Sequence, residues 1–387
     1  MDSVLTTTPS PHAVYPSARR PLGRVAWRLP LMMCILGLPA WIFGGCSPSA
    51  SREATATDAD WVAYKSRYLM AEGRITDTSN GNVSHTEGQG YGMLLAVHYR
   101  DRPAFDAMWT WTKAKLTRPD GLLSWRWRPD ASGNGGAVDD PNNASDGEIL
   151  ITWALVRAGK AWGEATYTAE GQGLARLVVE KLVVKSPAGD LLLPGIVGFR
   201  KPENGGRTIV NLSYWIFPAL EELREATGVE TWNALGATGR RLISLARYGR
   251  WKLAPDWLSV DDATGAVSMP PATEFPQEFG YNAFRIPLYV AWAAGQAGDR
   301  ELLRPFVQFW SEQQIEGRPA ATVRLDTDEV AEYAGPPGEE AIYLLVRAVE
   351  AGKSPRSIRW PALVEGDSYY SATLLLLTKA AASDLEK

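Results

Sequence analysis

Ala144-Ser145-Asp146-Gly147-Glu148-Ile149-Leu150-Ile151-Thr152-Trp153-Ala154-Leu155-Val156-Arg157-Ala158-Gly159-Lys160-Ala161-Trp162 sets small and acidic residues directly before a long apolar pattern of helical period. Ser145 and Glu148 have the spacing of a capping box, which predicts a helix start here with Glu148 in a structural role. Working outward, the same period recurs near 59–71, 88–100, 103–116, 168–184, 212–226, 230–247, 281–297, 300–314, 338–351 and 368–382. Strand signals are sparse, and LLLPGIVGF (191–199) is the best of them. Between the helices lie long loops rich in Gly, Pro, Trp and Asp at 118–144, 185–210 and 251–279. Loops of that length in a compact domain usually carry function. They are too unequal for a tandem array, and no fixed-period repeat is visible. The expected fold is all-α: helical hairpins closed into one α/α barrel, with the long loops forming a cleft.

The N-terminus reads as an address. Arg19, Arg20, Arg24 and Arg28 precede an apolar run from Leu29 to Phe43, and small residues follow at Gly44-Gly45-Cys46-Ser47-Pro48-Ser49-Ala50. That order is a secretory signal. Cleavage near Ala50, lipidation of Cys46 and an uncleaved anchor are the three fates to weigh, and Phe43 counts against lipidation. Residues 1–57 are therefore read as export signal and polar linker, and 58–387 as one folded domain. Both cysteines, Cys34 and Cys46, fall in the address, so the domain has neither a disulfide nor a cysteine nucleophile. The net charge of −4 gives no reason to expect nucleic acid, and 3 His leave little for a His-built metal site. No cofactor is called for. Asp139-Asp140 and Asp261-Asp262 read as solvated turns, and Glu221-Glu222 and Glu339-Glu340 as helix surface.

The chemistry concentrates at helix starts. In Ser84-His85-Thr86-Glu87-Gly88-Gln89-Gly90-Tyr91-Gly92-Met93, Thr86 and Gln89 have capping-box spacing, which makes Glu87 the first helical residue. A purely structural Glu87 would complement the helix dipole. It would not account for Gly88, Gly90 and Gly92, which weaken a helix and let another group approach the backbone, a ligand among the candidates. Asp146 occupies the same position in its own helix. Two carboxylates at two helix starts could face one cleft. The dipole suits Asp146 to stay ionised, while burial or the charge of Asp146 would raise Glu87 into the range of a general acid.

In order along the chain, TEGQGYGM (86–93), ASDGEILITWALVRAGKAW (144–162), NLSYW (211–215), APDW (254–257), FGYNAFRIPLY (279–289) and GDSYYSATLLLL (366–377) resemble glycoside hydrolase family 8. The likeness is greatest to the endoglucanases that accompany bacterial cellulose synthesis. This resemblance implies an (α/α)6 barrel, inverting hydrolysis of a β-1,4-glucan, Glu87 as the acid and Asp146 as a contact to the sugar at the cleavage point. One position departs from it. Where many members carry an aspartate as general base, this chain has Asn282, and an amide does not take a proton from water at neutral pH. Asp146 is then the first candidate for the base, with Glu274 and Glu278 behind it.

Aromatic faces that stack on sugar rings are sought in the loops: Trp125 and Trp127, Tyr214 and Trp215, Trp257, Tyr281, Tyr369 and Tyr370. Helical tryptophans such as Trp153 and Trp292 belong to the core. Arg285, one helical turn after Asn282, is placed to hold it or a sugar hydroxyl. The partner expected is a β-glucan, with the cellulose synthase machinery as a second candidate. Contact with a membrane is expected only through the leader or a lipidated Cys46. Two other readings stay open: a non-catalytic glucan-binding protein of cellulose assembly, and the same fold acting on chitosan, xylan or mixed-linkage glucan.

Overall fold

The computed structural model describes residues 54–387, apart from 132, 134, 204, 205, 296 and 297. The expected export signal, Cys34 and Cys46 lie outside the described residues. Eleven α-helices are present among those described: α1 (Ala59–Tyr68), α2 (Thr86–His98), α3 (Arg102–Leu116), α4 (Ser145–Trp162), α5 (Ala165–Leu182), α6 (Phe217–Thr227), α7 (Thr231–Leu245), α8 (Arg285–Trp292), α9 (Asp299–Glu312), α10 (Pro337–Glu350) and α11 (Tyr369–Asp384).

Their contacts close a ring. Helix α2 packs on α4, α4 on α6, α6 on α8, α8 on α10, α10 on α11, and α11 returns to α2. Outside this ring stand α1 against α11, α3 against α2, α5 against α4, α7 against α6 and α9 against α8. The 3-10 turn Pro355–Ser357, packed on α10 and α11, occupies the place of a sixth outer helix. The fold is thus the expected (α/α)6 barrel. Sequence explains which helices go inside. Every residue of α8 is buried, and α11 is buried from Tyr369 to Thr378, because both are apolar around their circumference. Helix α9 instead buries one apolar stripe, Leu302, Leu303, Phe306, Phe309 and Trp310, and keeps its charges outside except Asp299 at its head, which is buried against Arg240.

The long loops fold into short strands beside the starts of inner helices. Strands β1 (Ser84–His85), β2 (Arg126–Pro129) and β3 (Gly136–Asp140) form an antiparallel ribbon, and β1 runs directly into α2. A four-stranded sheet joins 200–201, 207–210, 258–261 and 267–268 ahead of α6 and α8. The expected strand over 191–199 is shorter and earlier: Gly189–Leu192 pairs with Val183–Ser186. Pro194 lacks the N–H that a ladder needs, and its carbonyl instead accepts the Ser145 N–H at 2.9 Å, pinning the loop to the head of α4.

Candidate active site

The heads of α2 and α4 abut so closely that a Cβ on Gly147 would lie 2.2 Å from Thr86 Oγ1 and 2.6 Å from the Glu87 backbone nitrogen. A turn lower, a Cβ on Gly90 would lie 2.5 Å from Leu150 Cβ. The glycines of α2 therefore serve helix packing rather than ligand approach, since Gly88 faces Tyr369 and His85, and Gly92 faces Met108 and Ile75. This contact sets Glu87 and Asp146 side by side.

Neither expected capping box forms. His85 caps α2 through Nδ1, which accepts the Gly88 N–H at 3.0 Å, and Thr86 becomes the first helical residue with Glu87 second. Gln89 turns inward, accepting from Ile75 N at 2.6 Å and donating to Thr112 Oγ1 at 2.8 Å. In α4 the cap is Ala144, and Ser145 Oγ makes no hydrogen bond among the described residues. Glu148 is structural in a different way. It accepts from Leu123 N at 2.9 Å and Asn143 Nδ2 at 3.1 Å, tying the head of α4 to the preceding loop. Burial pushes this carboxyl up to about 8.

Arg285, at the start of α8, joins the three helices. It is 2 % exposed. Its Nη1 stands 3.2 Å from Glu87 Oε1 and 3.3 Å from Asp146 Oδ2, and donates to Tyr91 Oη at 3.1 Å. Its Nη2 donates to Asn282 Oδ1 at 3.0 Å. The two carboxyl side chains differ in access: Glu87 is 21 % exposed and Asp146 is 2 % exposed. Asp146 does not stay an ordinary carboxylate. Burial first, and then the negative charge of Glu87, push it up to about 7, against the pull of Arg285 and the Gly147 N–H. The helix dipole favours the ionised form, but it is outweighed by a burial that sequence does not measure.

Behind Asn282 lies a residue given no role from sequence. Asp256, 5 % exposed, accepts the Gly280 and Ala283 N–H groups at 2.8 Å each, and Asn282 Nδ2 at 3.3 Å. It clamps the turn that carries Asn282 and Arg285. Tyr91, which joins Tyr289 Oη at 3.0 Å, was likewise missed. Both lay in plain view inside conspicuous motifs, APDW and TEGQGYGM; only their contacts distinguish them from core residues.

The aromatic candidates divide. Tyr214 is half-buried, with the Arg285 guanidinium over its ring at 5.8 Å. Tyr370 Oη donates to the Tyr281 carbonyl at 2.5 Å, and the two rings meet edge-on. Half-buried Trp125 stacks under Arg126 and accepts the Thr86 N–H on its carbonyl at 2.9 Å, next to Glu87. Trp215 is not a binding residue. It is fully buried, donates to the Leu235 carbonyl at 2.9 Å and packs on Gly239 of α7. Trp127 is also core, against Trp111, and Trp257 lies between Phe199 and Phe275. Glu339, expected on the surface, is fully buried, and desolvation raises its carboxyl well above the ordinary range. Of the two other base candidates, Glu274 pairs with Arg207 at 2.5 Å. Glu278 is pushed up to about 7 by burial and then by Asp256.

Comparison with known proteins gives the family. The profile of glycosyl hydrolases family 8 matches residues 44–384. A probable endoglucanase of Novacetimonas hansenii is 36% identical over 348 residues, covering 88% of this chain and 97% of its own. The structure of an endo-β-1,4-glucanase from Acetobacter xylinum superposes with TM-score 0.76 at 35% identity, over 85% of this chain and 98% of that one. An endo-β-1,4-glucanase of this family from an Achatina fulica gut metagenomic library gives TM-score 0.75 at 36% identity, over 84% and 98%. The chain belongs to glycosyl hydrolases family 8.

Proposed function

We propose that the chain is an inverting endo-β-1,4-glucanase in which Glu87 protonates the leaving oxygen and Asp146 supports it from behind. The chain is a glycoside hydrolase, a cellulase, and it hydrolyses internal β-1,4-glucosidic bonds. The observation that carries the assignment of roles is the sharing of one guanidinium nitrogen by the two carboxyls. Asp146 is raised to about 7 by burial and then by the charge of Glu87, and Glu87 is the member open to solvent. Asn282, Tyr214, Tyr281, Tyr370 and Trp125 surround this centre as sugar contacts. The signal-like N-terminus supports export to the periplasm or cell surface. The resemblance to endoglucanases of cellulose synthesis supports work beside a cellulose-producing machinery.

Glu87→Gln is expected to leave the circular dichroism spectrum and glucan binding unchanged while kcat on soluble cellulose falls at least ~100-fold, the scale of a lost general acid. Early-time NMR of the parent's products should show the α anomer first, as inversion requires. A variant near parental activity removes Glu87 from the role, and a β anomer removes inversion.

A further inference from the structure

We infer that the water-activating side of this site is Asn282 backed by Asp256: an amide alone does not take a proton from water, but here the Asn282 carboxamide relays one, receiving it at Oδ1 as Asp256 takes one from Nδ2 of the same amide. The inference rests on Glu87 being the acid. Inversion needs a proton acceptor across the sugar from the acid, with a gap of ~6.5–9.5 Å that leaves room for water. Asp146 is poorly placed for this. Its Oδ2 and Glu87 Oε1 both sit on Nη1 of Arg285, so they can stand no farther apart than their 3.3 and 3.2 Å contacts laid end to end. Asn282 occupies the other prong of the guanidinium fork.

The orientation of the amide follows from its neighbours. Arginine has only donors, so the atom facing Arg285 is Oδ1, and Nδ2 is left pointing to Asp256. The two oxygens of Asp256 are engaged differently. Oδ1 holds the turn through two short bonds from Gly280 and Ala283 at 2.8 Å. Among the described residues Oδ2 receives only Asn282, through Nδ2 at 3.3 Å and the backbone N–H at 3.4 Å, and keeps the looser, more basic lone pairs. Burial raises the Asp256 carboxyl, which improves it as a proton acceptor. The charged groups facing it are Glu278, whose Oε1 shares with Asp256 Oδ2 the 3.0 Å surroundings of a Cβ at Gly280, and Arg285 across the amide.

The step balances. A water O–H bond breaks and its proton passes to Asn282 Oδ1, while an Nδ2–H bond breaks and that proton passes to Asp256 Oδ2. The water oxygen bonds to the anomeric carbon, the glycosidic C–O bond breaks, and the leaving oxygen keeps the electron pair and takes the Glu87 proton. The imidic form then reverts to the amide as Asp256 returns a proton to Nδ2 and Oδ1–H is released to solvent.

The test is a swap, read by kcat, KM and pH profile on soluble cellulose, with circular dichroism as the folding check. Asp256→Asn and Asn282→Ala should each lower kcat at least ~100-fold with KM near that of the parent. The double variant Asp256→Asn/Asn282→Asp should recover at least ~10-fold of the loss. A carboxylate at 282 then meets water directly, and the amide at 256 donates back to it. Its acid limb should move to lower pH, because the new carboxylate lies against Arg285. A purely structural Asp256, whose loss only loosens the turn held through Gly280 and Ala283, would instead lower stability and kcat together in Asp256→Asn and leave the acid limb of that single variant where the parent has it. Glu278→Gln should stay within a few-fold of the parent. The proposal is overturned if folded Asn282→Ala keeps more than a tenth of kcat, or if the double variant folds without recovery. It is equally overturned if Glu278→Gln shows the large loss instead. Glu87→Gln run alongside separates the two ideas: if it is active, the acid assignment has failed, and if it is dead while Asp256→Asn is active, only this inference has.

Discussion

Asp146 illustrates how a single buried carboxyl trades stability for chemistry. Its unfolded value is about 3.9, and its folded value is pushed up to about 7 by burial and then by Glu87. A raised acid binds more protons in the folded state between those two values. Its stabilising contribution is complete below the unfolded value and is lost as pH rises through the folded one, at up to ~1.4 kcal/mol per pH unit. Asn at this position does not titrate. Asp146→Asn is therefore expected to melt higher than the parent at pH 8, with the advantage shrinking toward pH 4, while glucan hydrolysis collapses. Melting curves across that range decide it. A deficit that widens with rising pH would show that the charged form of Asp146, held by Arg285, is the one the fold prefers. Glu339 follows the same sign, being buried and raised well above its ordinary value by desolvation.

At the scale of elements, the site is made by the contact of two helix heads, and Gly147 is the residue that permits it. A Cβ there would strike Thr86 Oγ1 and the Glu87 backbone nitrogen, neither of which is the far end of a flexible chain. Gly147→Ala should part the heads by roughly an ångström, the distance separating a 2.2 Å approach from van der Waals contact, and cost about 1–3 kcal/mol or more through overpacking. Because the displaced residue is Glu87 itself, kcat should fall more than that stability loss alone predicts, as misplacement of a catalytic group does. Guanidinium melts paired with kcat would test this; an alanine variant with lowered stability and full kcat would sink it. The helices were legible because their period persists through ten or more residues, as in Ala144 to Trp162. The caps were not. His85 displaced Thr86 as cap, and Gln89 was drawn away by Ile75 and Thr112, partners far along the chain. Trp215 looked like a loop aromatic for a similar reason: the Gly239 it packs on belongs to α7. Short strands such as Ser84–His85 are too brief for alternation to show.

The whole molecule is a ring, and a ring has no dispensable member. Helix α11 is last in the chain, yet it closes the circle by touching both α10 and α2. It is buried from Tyr369 to Thr378, and it also holds outer helix α1, where Thr373 Oγ1 meets Tyr64 Oη at 3.0 Å and Lys379 Nζ donates to Asp60 Oδ2 at 2.5 Å. Its Tyr369 lies against His85, the cap of the helix that carries Glu87. At the opposite end of the same helix, Asp384 accepts from Arg157 of α4 at 2.8 Å and from Trp292 Nε1 of α8 at 3.1 Å. One segment thus supports the catalytic end and the far end together. Removing it would expose the apolar inner faces of α2 and α10, and a contiguous apolar surface of that kind drives association. A chain ending at Gly366 is therefore expected to lose the cooperative thermal transition as well as activity, and to aggregate rather than persist as a smaller folded enzyme. Calorimetry and size-exclusion chromatography of the truncated chain would check it. A monomer with a sharp transition would mean that five inner helices suffice to stand alone, and that the role of α11 is confined to placing His85 and Tyr370 at the active site.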